Sequence, residues 1–141
     1  IRMTAPYDVI DSMTFRSGET RIRLAHVEGV RRGDVCFGED GLKFACGLMG
    51  RASLANFLRA NPVVCHAVSD PGEAAGRIVA QCFIGSTDLA EHQIRAGLAK
   101  PVEAATGPYL AALQAAREKG VGAWNGGWSL MDLPDDKRDG T

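Results

Sequence analysis

Five arginines and two carboxylates are the residues of this 141-residue chain best suited to chemistry. Arg21, Arg23, Arg31 and Arg32 fall close enough to form a local basic cluster, and Arg77 stands apart in Ala75-Gly76-Arg77-Ile78-Val79-Ala80. An arginine fork can meet two oxygens of a phosphate or carboxylate at once, so arginine is the residue type here that suits an anion. Acids such as Asp11 and Glu28 could equally pair with Arg23 and Arg77 in a polar network that needs no ligand. The four cysteines, Cys36, Cys46, Cys65 and Cys82, contain no C-x-x-C pair, so their spacing argues against a zinc ribbon or a thioredoxin-type site. His26, His66 and His92 are scattered over different elements and are read as surface or packed residues rather than ligands. No metal is expected from these residues.

Strands and turns must position the basic cluster. Segments 7–10, 13–16 and 20–27 read as three strands, with turns at Asp11-Ser12 and Ser17-Gly18-Glu19, and Ile22 and Leu24 alternate with polar neighbours. The glycine-rich stretch 29–40 reads as a surface loop. Residues 47–60 carry Leu48, Ala52, Ala55 and Leu58 at helical spacing, with Leu54 and Phe57 widening the stripe. Segments 63–68 and 77–84 read as two strands about a turn at Asp70-Pro71-Gly72. Asp88 opens a second helix that stops at Gly97, and Pro108 opens a third that ends at Lys119-Gly120. Trp124 is expected to pack in the core and Trp128 to be less constrained. The order predicts one α+β domain over 1–128, a five-stranded OB-fold β-barrel with one helix between strands 3 and 4 and two C-terminal helices. An irregular tail, 129–141, is expected to follow.

Composition narrows the function classes. Sixteen Lys+Arg against seventeen Asp+Glu leave a net charge of −1. A protein that neutralises many phosphates carries a basic excess, so nucleic acid is not an expected partner. No apolar run approaches the ~18 residues of a membrane span. The chain opens Ile1-Arg2-Met3, as expected of a processed or excised piece. Two disulfides in an oxidising compartment fit the cysteine count; four buried thiols in a reducing one are the alternative. The pairing expected is Cys65–Cys82, opposite each other across the two later strands, and Cys36–Cys46, bracketing the loop.

In order, Val9-Ile10-Asp11-Ser12-Met13-Thr14-Phe15, Arg21-Ile22-Arg23-Leu24-Ala25-His26-Val27-Glu28 and the frame around Arg77 resemble the thermonuclease (staphylococcal nuclease-like) family. Ile94-Arg95-Ala96-Gly97-Leu98-Ala99 and Gly122-Ala123-Trp124 extend the resemblance over about residues 7–128. It implies an OB-fold barrel and metal-assisted phosphodiester hydrolysis: carboxylates hold calcium, a glutamate handles the water and two arginines steady the phosphate. By this resemblance Arg23 and Arg77 take the arginine positions, Asp11 an accessory acidic position and Glu28 a metal-binding one.

Two departures matter most. Met13 replaces a metal-binding aspartate, and a thioether is a poor calcium ligand. Arg31 replaces the glutamate, and a permanent cation cannot act as a general base; losing such a base forfeits roughly 100- to 10,000-fold in rate. Val30 stands at the family's proline, and Ala74, Ala75, Glu103 and Ala105 stand where nucleotide-contacting residues are usual. The expectation is a nuclease fold without nuclease chemistry. It would be an exported bacterial binding or scaffold module, periplasmic or secreted, with a residual anion or phosphate site and no cofactor. A working nuclease recruiting Asp34 or Glu39, which would need calcium, is one alternative. An accessory role in exopolysaccharide (succinoglycan) production, known among some relatives of the family, is the other.

Overall fold

The computed structural model describes residues 1–68 and 77–140. Strands β1 (Arg2–Met3), β2 (Asp8–Asp11), β3 (Thr14–Ser17), β4 (Thr20–Leu24) and β5 (Val27–Gly29) come first, then the short pair β6 (Cys36–Phe37) and β7 (Lys43–Phe44). Helix α1 (Cys46–Leu58) leads to β8 (Val63–Ala67), β9 (Arg77–Ile84) and β10 (Thr87–Asp88). Helix α2 (Leu89–Arg95), β11 (Ala99–Pro101), α3 (Gly107–Lys119), a 3-10 turn at Gly122–Gly126 and the one-turn helix α4 (Asp135–Arg138) complete the order. The turn expected at 70–72 and positions 74–76 lie outside the described residues.

The fold is mixed α+β. Its main sheet runs β1-β8-β9-β4-β3-β2, with β10 paired to β9. β2, β3 and β4 form an antiparallel meander, and β4 then pairs in parallel with β9. Strand pairing among the described residues does not join β2 back to β1, so the five-stranded ring is not closed by it. The free side of β2 is met by α1, where the Arg51 Nε–H donates to the Val9 carbonyl at 2.8 Å. The third predicted strand, 20–27, is broken because His26 adopts φ +70°. β4 ends at Leu24, and β5 turns away to pair with β11. The loop predicted over 29–40 holds β6, paired with β7.

Period-two alternation in β4 buries Ile22 and Leu24 and leaves Arg21 and Arg23 on the other face. Phe15, Ile22, Leu24, Leu54, Leu58, Leu89 and Ile94 are fully buried in one core, each worth roughly 1.5–3 kcal/mol of transfer free energy. A smaller cluster gathers Val30, Cys36, Cys46, Leu98 and Ala123, with Trp128 and Leu130 packed against it.

Helix α1 corrects the predicted face. Leu48 is 52% exposed, and the buried side is Cys46, Gly47, Gly50, Leu54 and Leu58. Close approach explains it: a Cβ on Gly50 would stand 2.6 Å from Val30 Cγ2 and 2.7 Å from Ser12 Cβ. Glycine therefore faces inward and the leucine outward. The later helices keep their predicted punctuation: Asp88 accepts from the Ala90 N–H at 2.8 Å, and Gly120 ends α3 at φ +63°. Trp124 and Trp128 are both half-buried and lie 5.3 Å apart, with Arg117 and Lys100 over their respective rings. Trp128 is thus more enclosed than expected.

The tail is more ordered than expected. Phe37 N–H donates to the Ser129 carbonyl, Met131 N–H to Val35, and Gly33 N–H to Arg138, all at 2.7–2.8 Å. Among the described residues, no helix is long and apolar enough to cross a membrane.

Candidate functional site

The parallel β4–β9 ladder sets Arg21 opposite Arg77 and Arg23 opposite Val79, so segments far apart in sequence bring their cations to one place. The β2–β3 turn adds Asp11 and Met13, and β5 adds Glu28. Arg23, Arg77, Asp11, Glu28, Met13 and Arg31, the positions singled out by the sequence, all line one cavity of about 590 Å3. Arg21, Arg32 and Asp139 line it as well. Five arginines and three carboxylates thus line this cavity. Arg23 and Arg77 also border a neighbouring cavity of about 360 Å3, where His26 and Glu103 are found. Ala105 lines a separate small hollow.

The acids are partly committed. Glu28 Oε2 accepts from Arg23 Nη2 at 2.9 Å, while Arg23 Nη1 donates to the Leu24 carbonyl at 3.0 Å. Asp11 Oδ1 accepts from the Met13 N–H at 2.9 Å. Burial pushes the Asp11 carboxyl above its ordinary value, against the opposing pull of the Met13 and Thr14 hydrogen bonds and of Arg23. Met13 is buried, and its sulfur accepts from the Gly29 N–H at 3.1 Å. The thioether therefore ties β5 to the turn as a structural acceptor.

Calcium does not fit this donor set. A hard cation wants several oxygen ligands. Here Asp11 accepts from the Met13 N–H, Glu28 is engaged by Arg23, Asp139 is engaged by Arg31, and the Met13 sulfur stands where a further oxygen would be needed. Among the described residues, no group of three His, Cys, Asp or Glu side chains could hold a metal.

The two loop acids proposed as substitutes are placed elsewhere. Asp34 is fully buried; its oxygens accept from Arg138 Nε at 2.7 Å, Arg138 Nη2 at 3.0 Å and the Arg31 N–H at 2.8 Å. Glu39 is exposed, and its N–H donates to Asn125 Oδ1. Neither lines the arginine cavity.

Sequence reasoning missed three supporting residues. Gln93 is fully buried and donates to the Ser12 carbonyl at 2.7 Å and the Gly50 carbonyl at 3.2 Å. It accepts from Ser53 Oγ at 2.9 Å, which locks the site turn onto α1 and α2. Asp139 reaches Arg31 Nη1 at 3.1 Å, and Asp135 reaches its Nη2 at 2.9 Å. A lone glutamine on an otherwise apolar helix face is a usable signal for the first. Charges in a polar tail give none for the other two.

Both expected disulfides are formed: Cys36–Cys46 and Cys65–Cys82, the latter between directly opposed residues of β8 and β9.

Fold and site together define an α+β protein that presents a cavity dominated by arginine. No protein-family model matches the chain. It is 30% identical over 119 residues to the succinoglycan biosynthesis protein ExoI of Rhizobium meliloti (strain 1021). That alignment takes in 82% of this chain, which spans about 61% of the relative's length.

Proposed function

We propose that this chain is a thermonuclease-like module of the five-stranded OB-barrel type that has lost hydrolysis and binds a phosphate or similar anion between Arg23 and Arg77. The observation that carries the proposal is the shared cavity. Both arginines line it, while Met13 and Arg31 stand where hydrolysis would need acids. The meander β2-β3-β4, the helix α1 after it and the return through β8 and β9 support the barrel reading. Export to the periplasm or outside the cell is supported by two disulfides, which persist in oxidising compartments. Nucleic acid is not the proposed ligand, since the chain is close to neutral overall.

Calorimetric titration with orthophosphate tests the site. Binding by the wild type, lost in Arg23→Ala with Arg77→Ala, is the expected result. A wild type that takes up no phosphate would instead favour an internal ion-pair network. A DNase and RNase assay with added calcium is expected to stay at the buffer blank. Cleavage abolished by Arg23→Ala would overturn the loss of hydrolysis.

The similarity to ExoI favours a second reading, an accessory role in exopolysaccharide production. Deleting the gene and measuring the polymer the host makes is its test; unchanged yield and composition would remove it.

A further inference from the structure

Arg31 is an unusual member of the arginine cavity because its charge is spent on the tail. Its two terminal nitrogens bond Asp135 and Asp139, and its Nε–H is buried with no hydrogen-bond partner among the described residues. Asp139 itself lines the cavity. A carboxylate from the far end of the chain therefore sits on a cavity arginine, where an anionic ligand would sit.

The attachment has a firm root and a weak tip. At the root, Arg138 meets the fully buried Asp34 through two nitrogens, and its carbonyl accepts from the Gly33 N–H. Breaking that pair would leave the fully buried Asp34 carboxylate without its charged partner, which holds the root in place. At the tip, Asp135 is 85% exposed and Asp139 54%. The carboxylate ends of these pairs are open to water and to screening by salt, which weakens their hold on the mostly buried Arg31. The tip can let go while the root holds.

We propose that Asp135 and Asp139 are an internal stand-in ligand on Arg31, and that Arg31 is a third arm of the anion site, released to a multivalent anion such as a diphosphate. This rests on the proposed anion reading and adds its ligand class. One phosphate engages Arg23 and Arg77; a second, neighbouring acidic group displaces the tail and takes Arg31. A singly phosphorylated ligand has nothing to exchange for the tail and leaves it in place.

The test compares inorganic pyrophosphate with orthophosphate by calorimetry on the full chain. Asp135→Asn with Asp139→Asn keeps the shape of two exposed side chains and removes their charge. This variant is expected to bind pyrophosphate about tenfold tighter than wild type, the effect of roughly 1.4 kcal/mol of competition. Orthophosphate affinity is expected to change less than about threefold. Adding Arg31→Gln to the variant is expected to erase the pyrophosphate gain. Equal pyrophosphate affinity in wild type and variant would overturn the stand-in role and leave the anion site intact. Failure of both proteins to bind either anion would overturn the anion reading itself, and this proposal with it. Thermal melts confirm that the variants are folded.

Discussion

Around the sheet, Phe15, Ile22, Leu24, Leu54, Leu58, Leu89 and Ile94 form a continuous apolar interior. Around Cys36, burial amounts to Val30, Cys36, Cys46, Leu98 and Ala123, few of them large. The second region makes up the shortfall with ties of another kind: the Cys36–Cys46 bridge, the Asp34–Arg138 pair and backbone bonds from the tail. The scaffold under the arginines thus rests on packing, while the segment bearing Arg31 rests on discrete links. Discrete links can be cut one at a time, and packing cannot.

Phe15→Ala is the largest intervention and tests the packed side. It is expected to cost ~3–5 kcal/mol, as aromatic-to-alanine changes in cores do. Urea unfolding should show a single transition moved to lower denaturant; a loss under ~1 kcal/mol would mean that the sheet core is not the main support. Next comes removal of Cys36–Cys46 by a double alanine substitution. Loop closure alone assigns it ~2–3 kcal/mol, close to the value for Cys65–Cys82 because the sequence separations are 10 and 17. The two variants should nevertheless differ in hydrogen exchange. Without Cys36–Cys46, amides in β6, β7 and the tail should lose protection while β3 and β4 keep theirs. Identical exchange maps for the two double variants would erase the contrast between the regions.

A smaller effect is expected from Asp34→Asn, which removes a charged partner from Arg138 and weakens the bond from the Arg31 N–H. Hydrogen bonds to charged groups are worth ~1.5–3 kcal/mol, and Arg138 can recover part of that in water because it is 27% exposed. The loss should fall near 2 kcal/mol, with tail amides opening first. The smallest effect belongs to Asp11. Its carboxyl is raised above the ordinary 3.8 mainly by burial. A group raised on folding contributes stability below its unfolded value, and that contribution fades as pH climbs through the folded one. Stability should therefore fall over that window, and Asp11→Asn should flatten the slope. Phosphate affinity should rise as pH drops through the same window, since a neutral Asp11 leaves Arg23 less opposed. A carboxyl carbon titration giving a midpoint at or below 3.8 would refute both.

What the sequence disclosed follows from locality. Arg23 belongs to a strand whose alternation fixes its face, Asp11 and Glu28 were marked by the ordered motifs that resemble the thermonuclease family, and Cys65 with Cys82 follows from two neighbouring strands. The inward face of α1 was not legible, because periodicity weighs bulky residues and Gly47 and Gly50 face inward through their lack of bulk. The break at His26 was hidden for a related reason: a positive φ in a histidine has no pattern around it. Least legible was the tail, whose partners lie 104 and 108 residues back along the chain. Whether a scattered acid pairs with Arg31 or with water depends on the finished fold.

The parallel contact between β4 and β9 also has a consequence in time. Arg21 and Arg23 face Arg77 only once strands separated by more than fifty residues have found each other. Non-local pairings of this sort form slowly, because loop closure precedes any reward from contact. A chain with a collapsed but unpaired sheet would have its arginines scattered. Anion capture during refolding should therefore lag behind the recovery of helical signal and coincide with the last kinetic phase. The cavity acts as a clock hand for completion of the sheet.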